Sequence, residues 1–295
     1  MTAETTDHAG AASTHSAPPA PGSPLEQTGA YRGAAVLGWV LSQHRRALLL
    51  WGLAVAVVAA IYVSFYPAMG DTGELEALVE GLPDGLIAAL GYDGIGTAAG
   101  YLESTVFGLL APILLLVFAL AFAARLIAGE EESGELELEL TAPVGRRRVY
   151  LERAAALAIA VSWLGVVTGT VSLLLVAALD LEVAAWPLVT TTVGLILLVL
   201  AMAAISYAVG AATGRRAWAL GAGAGVAVAG YMANALAPLL EDGAWLARLS
   251  PFAWYLGEDP LVHGLRGAGA AGLLVVAVVA IVVGLLAYER RDLGV

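Results

Sequence analysis

The stretch GAGAAGLLVVAVVAIVVGLLAY, Gly267–Tyr288, contains no Asp, Glu, Lys or Arg over its whole length. An α-helix rises about 1.5 Å per residue, so about 20 apolar residues cross the hydrocarbon core of a bilayer. The stretch is long enough to do so. It therefore predicts a membrane-spanning helix near the end of the chain.

Windows of the same kind recur along the whole chain, which is 60% hydrophobic and only 13% charged. A water-soluble bundle of buried helices would need polar faces between these windows, and such faces are missing. The sequence therefore predicts an all-α polytopic membrane protein in contact with the lipid bilayer. Its six transmembrane helices are expected at about 47–66, 105–127, 154–179, 186–212, 217–240 and 267–288.

The region before the first predicted span divides into two parts. Residues 1–30 are rich in Ala, Thr, Ser and Pro, and such a segment buries too little apolar surface to fold, so we expect a disordered tail. It lacks the basic and apolar regions of a signal peptide. Residues 31–295 are expected to form the six-helix domain. Within them, GAAVLGWVLSQHRR places its apolar residues on one helical face and predicts an N-terminal interfacial helix.

Several kinds of chemistry are excluded, because the chain lacks the residues they need or has them too far apart in sequence. It has no Cys and no Lys, so it carries neither thiolate chemistry nor the lysine of a phosphate-binding ATPase loop. The four histidines show no metal-ligand spacing, and no catalytic motif is present. We therefore expect no enzyme active site, no metal, no cofactor and no nucleic-acid partner.

The balance of charge is acidic, with 25 Asp and Glu against 14 basic residues, all of them Arg. This composition is similar to that of proteins adapted to salt. A GC-rich genome also favours Ala, Gly, Val and Arg, and that explanation stays open.

The distribution of the arginines predicts the orientation in the membrane. Cytoplasmic loops of membrane proteins collect Arg and Lys. If the N-terminus is inside, twelve arginines are cytoplasmic and only Arg248 and Arg266 are outside. The segment 67–104, which has seven acids and no base, then lies outside. We expect both termini to be cytoplasmic in a plasma-membrane protein.

One dense block of charge separates the second and third predicted spans. It reads GEEESGELELELTAPVGRRR over Gly129–Arg148. Each of these charges costs about 2.5–3.5 kcal/mol at the centre of a bilayer, so the block must lie in water or against a soluble partner. Residues 130–153 are called the charged loop below. Taken alone, the alternating ELELEL predicts a strand.

The charged loop resembles the first cytoplasmic loop of type-2 ABC export permeases, the membrane subunits of ATP-driven exporters. That loop has an acidic pair, a Gly-Thr-Leu-Glu-x-Leu-Leu run, a Pro-Val-Ser-Arg turn and a later base. Glu135, Glu139 and Gly145 depart from the pattern. The matching residues are Glu131, Glu132, Gly134, Leu136, Glu137, Leu138, Leu140, Pro143, Val144, Arg146 and Arg153. The terminal YERRDLGV is also typical of such permeases.

The resemblance implies a coupling helix that docks on a separate ABC ATPase subunit. The docking residues are then Glu131, Glu132, Gly134, Leu136, Leu140, Pro143, Val144, Arg146 and Arg153. Leu136 and Leu140 lie one helical turn apart and can form an apolar ridge. The resemblance also implies a dimer, made with a second copy or a homologous permease, and the export of a substrate that the sequence does not identify.

The uncharged span interiors bear on the remaining functions. Proton-coupled transporters place ionisable residues along their pathway. Apart from Arg125, two residues before the end of the second span, the spans above contain no Asp, Glu, Lys, Arg or His. Ser206, Tyr207 and Asn234 are polar candidates for lining a pathway, although hydrogen bonding between helices explains them equally well. Gly221 and Gly225, four residues apart, predict close helix packing. The alternatives are a secondary transporter or channel without a nucleotide partner, and a membrane-integral assembly or anchoring protein.

Overall fold

The computed structural model describes residues 35–69, 74–92, 94–132, 145–257 and 259–291. Within these ranges there is no strand. Six helices are long and apolar enough to cross a membrane. They are α1 (Ala35–Met69), α2 (Ala98–Gly129), α3 (Arg146–Ala178), α4 (Ala185–Thr213), α5 (Arg216–Leu239) and α6 (Gly267–Arg290). The predicted all-α, six-span architecture is therefore confirmed, whereas the expected disordered tail (1–30) lies outside the described residues.

The N-terminal interfacial helix is not a separate element but the first turns of α1. The carboxylate of Glu152 in α3 accepts hydrogen bonds from the backbone N–H groups of Val36 and Leu37, at 2.9 and 3.1 Å. Val40, one turn later, is fully buried. The start of α1 is thus fixed by α3, and the same helix continues into the first span without a break.

Helix α4 lies at the centre of the bundle and packs against α2, α3, α5 and α6. The most apolar windows of α2 and α4 are 61% buried, against 11% for that of α6. Helix α6 thus contacts α4 along one side and presents a broad apolar face outward. In a membrane, such a face lies against lipid or another chain.

Glycines allow the inner helices to approach closely. A Cβ atom on Gly284 of α6 would lie 2.7 Å from Cα of Ala208 in α4, and one on Gly169 of α3 would lie 2.5 Å from the Thr192 hydroxyl. Small residues replace side-chain contacts by backbone contacts in this way. The predicted pair Gly221 and Gly225 behaves differently, since no described residue outside the same stretch of α5 lies within 4 Å of a Cβ built on either.

The bundle has two ends, which we name by their contents. The charged-loop end holds the described ends of the charged loop, the start of α1 and the end of α6. The far end holds five short helices, Glu74–Val79, Asp84–Leu90, Ala244–Leu249, Pro251–Leu256 and Pro260–His263. Ser250 starts Pro251–Leu256, because its hydroxyl accepts from the N–H groups of Phe252 and Ala253 and donates to the Gly230 carbonyl at 2.7 Å.

Candidate functional site

The acidic start of the charged loop is paired with the end of α6. Glu131 follows directly after α2, and both of its carboxylate oxygens bind the guanidinium of Arg291, at 2.6 and 3.0 Å. A bidentate pair of this kind fixes orientation as well as distance. Arg146, at the start of α3, donates to the Arg291 carbonyl at 3.3 Å. The two flanks of the charged loop therefore meet at Arg291, the residue that follows α6.

The next glutamate is tied to a different helix. An oxygen of Glu132 accepts a hydrogen bond from the backbone N–H of Arg216 at 2.9 Å. Arg216 begins α5, so the carboxylate satisfies one of the N–H groups that a helix start leaves without a partner. Its negative charge also lies at the positive end of the helix dipole. The start of α5 is thus held by the end of α2.

The last basic residue of the charged loop lies inside the protein. Arg153 is fully buried on the second turn of α3, and its guanidinium donates to the Leu126 carbonyl of α2. Leu126 belongs to a π-helical segment, Arg125–Gly129, with which α2 ends. A buried guanidinium is unfavourable unless it is hydrogen-bonded, so this contact locks the start of α3 to the end of α2.

Three tyrosines extend these contacts into the bundle. The rings of Tyr150 and Tyr207 lie 4.8 Å apart, and those of Tyr150 and Tyr288 lie 5.7 Å apart. The Tyr207 hydroxyl donates to the Tyr150 carbonyl at 2.7 Å, and the Tyr150 hydroxyl donates to the Ile281 carbonyl at 3.0 Å. The cluster joins Tyr150, in the part of α3 that belongs to the charged loop, to α4 and α6.

A cavity of about 430 Å³ opens at the far end, among α1, α2, α5 and the short helices. Glu103, Asp259 and Asn234 are among the residues that line it. Glu103 lies in a second π-helical segment of α2, Leu102–Leu110. One of its oxygens accepts from the N–H of Leu261 at 3.1 Å, which fixes the carboxylate beside the cavity.

A buried tyrosine supports this π-helical segment. The Tyr255 hydroxyl donates to the Phe107 carbonyl at 3.1 Å. Burial raises the pKa of the Tyr255 phenol well above its ordinary value, and the negative charge of Glu103 raises it further. The phenol therefore stays protonated and remains a donor at neutral pH.

Comparison with models of known protein families identifies the family of this chain. A family model described as ABC-2 family transporter protein matches residues 40–293, from the first turns of α1 past the end of α6. The chain belongs to the ABC-2 transporter family. No curated protein shows significant sequence similarity to it. It is thus a multi-pass membrane protein with the role of an ABC permease. The resemblance of the charged loop indicated the same family.

The predicted docking residues of this ABC-2 protein fall into two groups. Glu131, Glu132, Arg146 and Arg153 are described, and each contacts another part of the same chain. The other five lie outside the described residues; they are Gly134, Leu136, Leu140, Pro143 and Val144. The coupling helix itself, and the alternative strand over 135–140, also lie outside the described residues.

The three candidate pathway residues of the ABC-2 protein are not brought together. Ser206 and Tyr207 are fully buried inside the protomer, where the Ser206 hydroxyl donates to the Ala219 carbonyl of α5 at 2.9 Å. Asn234 lies apart from them and lines the far-end cavity. A pathway through all three stays a hypothesis.

Three residues that form these contacts were not among the site residues predicted from the sequence. Glu103 was placed in an outer loop, because the predicted second span began at 105 and α2 begins at Ala98. Glu152 holds a helix start 116 residues away, so no local spacing marks it. Arg291 did carry a signal, since it belongs to the ending YERRDLGV.

Proposed function

We propose that this ABC-2 protein is the permease subunit of an ABC exporter. It moves a substrate out of the cell with energy from ATP, which a separate ATPase subunit hydrolyses while docked on the charged loop. The observation that carries the proposal is the attachment of that loop. Glu131, Glu132, Arg146 and Arg153 tie its ends to α6, α5 and α2. Because α3 starts at the loop itself, a displacement of the loop acts on four helices at once.

The energy source must lie outside this chain if transport is driven by ATP. The chain has no Lys and hence no phosphate-binding loop of its own. A proton-driven mechanism would need ionisable groups spaced through the membrane, but the middle of each span is uncharged. Both points favour an ATPase partner over a secondary transporter.

The working unit in this proposal is a pair of permeases with two ATPase subunits. Both termini and the charged loop face the cytoplasm, in keeping with the division of the arginines. The face of α5 that carries Gly221 and Gly225 is open, and exposed Trp218 and Val228 lie on the same helix. A second copy, or a homologous permease, that packs against this face would enclose a pathway between the two chains.

The decisive experiment replaces the apolar ridge of the charged loop. Leu136→Asp with Leu140→Asp puts charge where apolar burial against the ATPase is expected. A fully buried leucine contributes about 1.5–3 kcal/mol, so affinity for the co-purified ATPase should fall at least tenfold. ATP-driven export should fall with it. Binding is measured by titration with purified ATPase, and export is measured in proteoliposomes.

A matched control places two aspartates at the far end. Leu240→Asp with Leu249→Asp changes residues that are 51% and 68% exposed and lie away from the charged loop. This variant should bind the ATPase normally. If the charged-loop variant also binds and exports at native rates, the loop is only a solvated linker and the permease proposal is wrong.

A further inference from the structure

The far-end cavity is lined by two acidic residues, and no base is among the described residues that line it. Glu103 and Asp259 are these two residues. No arginine or histidine is among the residues that line it, and the chain has no lysine. Among the described residues Glu103 forms no ion pair, and its one hydrogen bond comes from a neutral N–H. The cavity therefore favours a positively charged occupant.

The backbone fixes the carboxylate of Glu103 and the position of Asp259 in the chain. The N–H of Leu261 fixes Glu103, as described above. Asp259 has a φ of 47°, a left-handed conformation that is uncommon for residues other than glycine. Strained residues of this kind persist where the surrounding structure enforces them, and they cluster at binding sites. Glu103 is thus oriented beside the cavity, and Asp259 lies at its edge.

The remaining lining is aromatic and polar. Tyr62, Tyr92 and Tyr231 contribute rings from three different parts of the chain, and Asn234 adds an amide. The faces of aromatic rings attract cations, and the attraction is strongest for weakly hydrated organic cations. A cavity of about 430 Å³ lies within the range of small-molecule sites and is far larger than a single metal ion requires. No group of three or more metal-ligating side chains occurs in the described ranges.

We propose that this cavity binds a monovalent organic cation, a quaternary or protonated amine, between Glu103, Asp259 and the tyrosines. The inference rests on the proposed export function and deepens it, because it names the chemical class of the substrate. The far end is the outer end in the proposed orientation. The cavity is then the last site that the substrate occupies before release.

The test measures binding of benzyltrimethylammonium to the full-length chain in lipid nanodiscs by calorimetry. Saturable binding is expected, and the neutral isostere neopentylbenzene should not displace the cation. Glu103→Gln keeps an oxygen acceptor for Leu261, and Asp259→Asn keeps a residue that tolerates the left-handed conformation. Each variant should weaken binding at least tenfold. Glu182→Gln, at an exposed position of the same end, should leave affinity unchanged.

Several results would overturn the proposal. They are no binding by the native chain, equal affinity in all four proteins, or displacement by the neutral isostere as readily as by the cation. The substitutions Glu103→Gln and Asp259→Asn lie on different elements of the fold. If one variant folds poorly, which a lower melting temperature would show, the other variant still tests the proposal. No ATP or ATPase is present in this assay. If the native chain binds the ATPase but not the cation, only the cation site is wrong. If it binds the cation but not the ATPase, only the export proposal is wrong.

Discussion

At the residue scale, the charges of the charged loop differ in how much they contribute. Glu131 and Arg291 have side chains 22% and 25% exposed, and a partly solvated pair stabilises by about 1 kcal/mol or less. Arg153 is fully buried, so loss of its hydrogen bond to the Leu126 carbonyl would leave a charged donor unsatisfied and cost about 1–3 kcal/mol or more. Arg153 therefore holds the fold, while Glu131 and Arg291 form a contact that is weak enough to change during a transport cycle.

The tyrosine cluster offers a matched pair of substitutions. Tyr150→Phe removes the hydrogen bond to the Ile281 carbonyl and should lower the free energy of unfolding by about 0.5–1.5 kcal/mol. The buried hydroxyl of Tyr288 has no hydrogen-bond partner within the described parts of the chain. Tyr288→Phe should therefore leave stability unchanged or raise it. Thermal unfolding in detergent measures both, and an equal loss in the two variants would contradict the assigned hydrogen bonds.

At the scale of elements, α2 links the two candidate sites. It contains one π-helical segment at each end, Leu102–Leu110 and Arg125–Gly129. Such segments are uncommon and often occur at functional positions. The first carries Glu103 into the far-end cavity, and the second presents the Leu126 carbonyl to Arg153. A rotation of α2 started at the charged loop would thus reach the cavity along a single helix.

Substitutions in helix α5 can test whether two permease chains form the proposed dimer. Gly221→Leu with Gly225→Leu adds side chains on a face of α5 that no other described part of the same chain covers. The unfolding temperature should therefore stay the same or rise. If a second permease packs on this face, the added bulk should abolish the dimer. Single-molecule photobleaching in nanodiscs counts the copies. Val278→Leu on the exposed face of α6 is the control, and a double α5 variant that dimerises normally would exclude this face as the interface.

At the scale of the whole molecule, the contacts gather the charged elements at one end. Glu131, Arg146, Arg216 and Arg291 come from four separate parts of the chain and meet there. Arg248 and Arg266, the two arginines predicted to lie outside, belong to the far-end region. The fold therefore keeps the division of arginines from which the orientation was predicted.

The orientation itself can be measured with single cysteines, because the native chain has none. Arg147→Cys and Glu182→Cys lie at exposed positions of the charged-loop end and the far end. On intact cells, a membrane-impermeant maleimide should label Glu182→Cys and spare Arg147→Cys. Inverted vesicles should reverse the result. Labelling of Arg147→Cys alone on intact cells would mean that the charged loop faces outward.

The sequence by itself determined the class of fold and the family. Runs of apolar residues long enough to cross a bilayer specify six helices, because a backbone in lipid must satisfy its own hydrogen bonds. The motif from Glu131 to Arg153 indicated the permease family, since its residues are close in sequence. These conclusions depend only on local composition and spacing.

Only the tertiary structure decided which residues work together. The pairs Glu131–Arg291 and Glu103–Leu261 are 160 and 158 residues apart, so no local pattern could join them. The structure also shows which glycines of α5 face the bundle. A Cβ added to Gly223 would lie 2.8 Å from Ser206, whereas Gly221 and Gly225 face open space. Within an apolar helix the hydrophobic pattern is nearly uniform, so it cannot show which face turns inward. That choice is made by packing and hydrogen bonding between helices.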